Sequence, residues 1–96
     1  MKPSELLSDK TKWTKWVSAR SATQKAVEPD DEKAVCWCVI GAINKCYGYG
    51  SEYNRAIGAL RDIIRKKYGL FGIASWQDLR DTTFEQVKEV LKEAGE

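Results

Sequence analysis

AVCWCVIGAINKC, residues 34–46, is the stretch on which the reading of this chain turns. It carries all three cysteines and no charge before Lys45. It is preceded by EPDDEK, residues 28–33, which reads as the start of a helix. Pro29 favours an extended residue before it, Asp30 or Asp31 can cap free amides, and acidic charge suits a first helical turn. A helix from there runs to about Cys46, and Gly48 and Gly50 end it. On such a helix Cys36 and Cys38 stand about 200° apart, so their sulfurs point to opposite sides and cannot share one zinc ion. Zinc takes four ligands, normally Cys and His, and this chain has three cysteines and no histidine. A cysteine nucleophile usually needs a histidine to take its proton, which is equally missing. Between Val35, Trp37, Val39 and Ile40 the thiols read as small buried hydrophobes. Their odd number, with no export signal, fits a reducing compartment. No catalytic residue, metal or cofactor is expected, and the chain is not read as an enzyme.

On the N-terminal side, Ser4 can cap a short helix carrying Leu6 and Leu7. Trp13 and Trp16 are three residues apart, which places them on one face if that helix continues. WVSARSATQKAV, residues 16–27, has no helical stripe and reads as extended, looped or a short hairpin. On the C-terminal side, Tyr53, Ile57, Leu60, Ile64 and Tyr68 recur at three and four residues, an amphipathic helix that Gly69 stops. LFGIASWQDL, residues 70–79, reads as a connecting segment packed down by Leu70, Phe71, Ile73 and Trp76. Thr82 with Glu85 forms a capping box for a last helix whose buried stripe is Phe84, Val87, Val90, Leu91 and Ala94. IGAI at 40–43 and IGAL at 57–60 echo one another, which predicts that two helices cross near Gly41 and Gly58. The expected fold is mainly α: a compact single domain, residues 1–96, of about four helices, with a short β-hairpin or extended segment near residues 14–28 as the open alternative.

Several of these residues stand in an order that resembles a family of small bacterial and phage proteins of unknown function. Trp16, Ala19-Arg20, the acidic Asp30-Asp31, Ala34, Trp37-Cys38, Gly41-Ala42, Ile73 and Trp76-Gln77-Asp78 follow its sequence of motifs: W, A-R, D-x-x-A-x-x-(W/F)-C-x-x-G-A and I-x-x-W-N-D. The likeness runs from about residue 13 to the end. It departs at Gln77, where the pattern has Asn. It departs again at Thr23-Gln24-Lys25, where an Asp and a Gly are expected in the turn. The resemblance implies a compact, mainly helical domain and no particular activity. It also points to a bacterial or phage accessory protein.

Composition narrows the function classes. The net charge of +2 conceals alternating blocks, +4 over residues 1–27, −2 over 28–50, +3 over 51–68 and −3 over 69–96. That is weaker than the basic balance of a dedicated nucleic-acid binder. No apolar run approaches the roughly 20 residues of a membrane span, and MKPSELLSDK lacks a signal-peptide core. The expected location is a bacterial cytoplasm, or the host cytoplasm if the protein is phage-encoded. The expected role is a binding module acting on another protein. Its candidate surface is Arg20, Arg61, Arg65, Trp76, Gln77 and Asp78, because Arg and Trp dominate contact hot spots. A plainer reading places Trp76 in the core and makes Asp78 a turn cap. The alternative function is nucleic-acid binding through a basic helix face of Arg55, Arg61, Arg65 and Lys66.

Overall fold

Residues 34–46 fold as two elements rather than one helix. The computed structural model describes all residues, Met1–Glu96. In order they form α1 (Pro3–Leu6), a 3-10 turn (Lys10–Lys12), β1 (Ala19–Ser21), β2 (Ala26–Val27), β3 (Ala34–Trp37), α2 (Val39–Tyr47), α3 (Ser51–Tyr68), α4 (Ile73–Gln77) and α5 (Phe84–Glu93). The fold is therefore mixed, five helices with a small antiparallel sheet, and the mainly α expectation is corrected on that point.

The correction starts at residues 28–38. EPDDEK makes turns, with Asp31 N–H donating to Glu28 O at 3.0 Å and Asp31 Oδ1 accepting from Lys33 N–H at 2.8 Å. An Asp side chain that bonds its own backbone two residues on builds a turn as readily as a helix cap. Ala34, Cys36 and Trp37 then pair with β1 and Val35 stands at a bulge between them, a strand that suits β-branched and aromatic residues on a half-buried surface. Cys38 is extended, at φ −75 and ψ 172, and is itself the N-cap of α2. Its Sγ accepts from Gly41 N–H at 3.2 Å. The two cysteines thus do not share a helix, and the rotation argument that set their sulfurs apart does not apply.

The sheet order is β2-β1-β3, antiparallel throughout, with Arg20 opposite Ala26 and Cys36. The hairpin alternative at residues 14–28 is what forms, and Gln24 turns it in a left-handed conformation at φ 68. The first helix does not reach the tryptophans. It ends at Leu6, and Trp13 is extended and lies alongside Trp37 of β3, with Thr14 N–H donating to Trp37 O at 3.0 Å.

Helices α3 and α5 follow their apolar period closely. Ala56, Leu60 and Ile64 are buried on α3, and Phe84, Val87, Val90 and Leu91 on α5. Gly69 ends α3 in the left-handed region. The capping box of α5 sits one residue later than read, Thr83 with Gln86. Thr82 is instead buried and donates to Trp76 O at 2.6 Å. Residues 73–77, which the sequence places in a connecting segment, form a short helix, while Phe71, expected to pack down, stays exposed. The radius of gyration, 12.2 Å, is that of a compact domain, near the value of about 13 Å expected for 100 residues.

The two glycine echoes have different partners. A Cβ at Gly41 would lie 2.0 Å from Ser18 O, so Gly41 lets α2 lie against the backbone that leads into β1. A Cβ at Gly58 would meet nothing within 4 Å. The expected crossing of α2 and α3 at these glycines is therefore replaced by a contact of α2 with residue 18.

Candidate functional site

Three short stretches distant in sequence meet at one place: Trp13–Ser18, Cys38–Gly41 and Ile73–Leu79. Gln77 fastens them. It is 2% exposed. Its Oε1 accepts from Trp13 Nε1 at 2.9 Å and from Val39 N–H at 3.1 Å. Its Nε2 donates to Asp78 Oδ1. The amide thus serves both of its ends inside the protein, as a buried polar group must.

Asp78, half-buried, continues the connection. Its Oδ1 also accepts from Trp16 N–H at 2.9 Å. Lys15 Nζ donates to Leu79 O at 2.5 Å and lies 5.3 Å from the centre of the Trp13 ring. Trp13 packs against Phe84, with ring centres 6.1 Å apart. These contacts hold residues 13–16 against the end of α4 and fix Trp16 in an unusual state. Its φ is 71, in the left-handed region that a bulky residue rarely adopts, and its side chain is 71% exposed. Trp13 and Trp16, expected on one helical face, thus part company.

Beside Trp16 opens a cleft of about 220 Å³, walled by Val17, Ile40, Ile73 and Ala74, with Cys38, Gln77 and Asp78 also lining it. That is smaller than the roughly 300–1,000 Å³ of sites for drug-sized ligands, and it matches a single side chain better. Burial pushes the Cys38 thiol above its ordinary range, and the Asp78 charge adds to that. Cys38 is therefore a weak thiolate source in spite of standing at a helix start.

The other residues singled out in the sequence lie elsewhere. Arg20 binds its own hairpin, donating to Thr14 Oγ1 at 3.0 Å and to Gln24 O at 3.1 Å. Trp76 is 1% exposed and stacks on Tyr68, with ring centres 5.4 Å apart. Arg61 and Arg65 are exposed on α3 and make no ion pair. Lys66, also exposed, is likewise unpaired. Arg55 is committed to Glu96 at 2.8 Å and Glu52 at 3.2 Å. Of the six candidates, only Gln77 and Asp78 line the cleft. Trp16, Ile40 and Ile73 line it without having been singled out as a site. The sequence signal for Trp16 was a large aromatic in a stretch with no apolar stripe to receive it.

No helix is long and apolar enough to cross a membrane. A family model described as a family of unknown function (DUF6197) matches residues 4–96. No curated protein and no solved structure matches the chain.

Proposed function

The chain belongs to DUF6197, a family of unknown function, and from that starting point we propose that it is a small binding module for another protein, with the Trp16 cleft as its contact. One observation carries the reading: a tryptophan held at φ 71 by a bond to Asp78, with 71% of its surface exposed beside a largely apolar cleft. Left-handed backbone costs an L-residue about 1–2 kcal/mol, so a fold optimised for stability alone has no use for it at a bulky side chain. Strain of this kind gathers at ligand clamps, and Trp is among the residues enriched at the hot spots of protein contacts.

Nucleic-acid binding is the second reading. Arg61 and Arg65 favour it by being exposed and unpaired, while the ion pairs of Arg55 weaken it. Enzyme chemistry is not proposed. The test is capture from a lysate of the source cells, with nuclease, at low and high salt, comparing the wild type with Trp16→Ala and with the pair Arg61→Glu, Arg65→Glu. The proposal expects one protein retained at high salt and after nuclease, lost with Trp16→Ala and kept by the arginine pair. Retention that ignores Trp16, or that ends with nuclease, would overturn it.

A further inference from the structure

Within that reading, on which this inference rests, we infer that the cleft takes a lysine side chain of the partner protein. The argument is charge and shape together. Of the residues lining the cleft, Asp78 alone is charged. Lys15, next to Trp16 in sequence, has its ammonium on Leu79 O. The rest of the lining is mostly apolar, Trp16, Val17, Ile40, Ile73 and Ala74 among it, with Ser18 and Gln77 as uncharged polar residues. An occupant that suits such a site has an apolar stem and a positive tip. Lysine and arginine both lay an aliphatic stem along apolar surface while their charge seeks a partner.

The hydrogen bonds choose between the two. Asp78 Oδ1 already accepts from Trp16 N–H and from Gln77 Nε2, and Oδ2 has no bond within the chain. The guanidinium fork is at its best when both carboxylate oxygens are free to receive it. A lysine ammonium is a point charge that needs one oxygen, and Oδ2 offers one. The exposed Trp16 ring supplies a face on which a cation is further attracted. A cleft of about 220 Å³ has room for a side chain of this length and little more.

The experiment is an NMR titration of the full chain with Nα-acetyl-lysine methylamide and with its norleucine and arginine counterparts. The expected result is saturable shifts at the Trp16 indole and the Asp78 amide, with the norleucine probe weaker by about tenfold, the value of one charge-assisted hydrogen bond. The arginine probe binds more weakly than lysine. Asp78→Asn keeps an oxygen for Trp16 and Gln77 but loses the charge, and it brings lysine down to norleucine. If that variant does not keep the native spectrum, salt replaces it: lysine binding weakens as salt rises and norleucine binding does not. Equal binding of lysine and norleucine, or no shift with any probe at its solubility limit, overturns the inference. Either result leaves the Trp16 contact standing if partner capture still depends on Trp16. Self-association that depends on Trp16 and ignores the lysine probe would put a second copy in the cleft and also overturn it.

Discussion

Trp16 and Gly41 show how single positions set what the site costs. Trp16→Gly removes the Cβ penalty of left-handed backbone, about 1–2 kcal/mol, and adds the backbone entropy of glycine, about 0.5–1 kcal/mol. Little burial is lost, because the side chain is 71% exposed. The melting temperature should hold or rise while partner capture disappears; a clear fall would mean that the indole is part of the core. Gly41→Ala should act in the opposite sense. Its Cβ would sit 2.0 Å from a backbone oxygen that cannot swing aside, so denaturant unfolding should report a loss of about 1–3 kcal/mol or more. Gly58→Ala has open space and should gain about 1 kcal/mol from helix propensity. Equal effects at the two glycines would defeat this account. Nothing in IGAI and IGAL tells the two apart, because what separates them is a neighbour 23 residues upstream of Gly41 in one case and solvent in the other. The cysteines are similar. Their apolar neighbours showed that they are not a charged site, but not that Cys38 caps α2. Since burial raises the Cys38 pKa, thiolate is scarce at neutral pH. Thiol reagents should modify the native protein slowly and all three cysteines quickly only after denaturation.

At the scale of elements, α3 and α5 were readable because eighteen and ten residues give the helical period room to repeat. Strand β3 was not. It has four residues, its two buried positions, Cys36 and Trp37, are adjacent rather than alternate, and an acidic turn before it imitates a helix cap. The short α4 escaped for a like reason: five residues make little more than one turn. In sequence Gln77 looks like a surface residue, being polar and next to Asp78. Only its partners, Trp13 and Val39, make it interior. Gln77→Met keeps the shape and removes both acceptor bonds, leaving the Trp13 and Val39 N–H groups unserved at about 1–3 kcal/mol for a buried donor. The expected loss on denaturant unfolding is at least about 2 kcal/mol, with the Trp13 indole resonance shifted. A variant as stable as the wild type would mean that water replaces the amide without penalty.

The whole molecule is closed by a second polar knot, none of whose residues lines the cleft. Glu96 has a side chain 1% exposed, and it accepts from Tyr47 Oη at 2.5 Å and from Arg55 at 2.8 Å, tying α2 and α3 to the residues after α5. Burial, and then the bond to Glu96, push the Tyr47 pKa up to about 12. The folded protein therefore holds this proton more tightly than the unfolded chain, whose tyrosine titrates near about 10. The contribution is complete below that pH and is lost as pH rises through about 12. Lys67, raised by its bonds to Glu93 and Glu89, loses its share in the same alkaline direction. Tyr47→Phe should thus flatten part of the alkaline loss of stability and Lys67→Met another part; an unchanged pH profile in Tyr47→Phe would remove Tyr47 from the account. The bonds of Gln77, for their part, have a kinetic meaning. They join positions 64 and 38 residues apart, so each closes a long stretch of chain, and such closures are slow to be repaid in forming a nucleus. The cleft then assembles after the rate-limiting barrier, and Gln77→Met should speed unfolding while leaving the folding rate nearly unchanged. A chain still in the act of folding would own its helices before it owned the cleft.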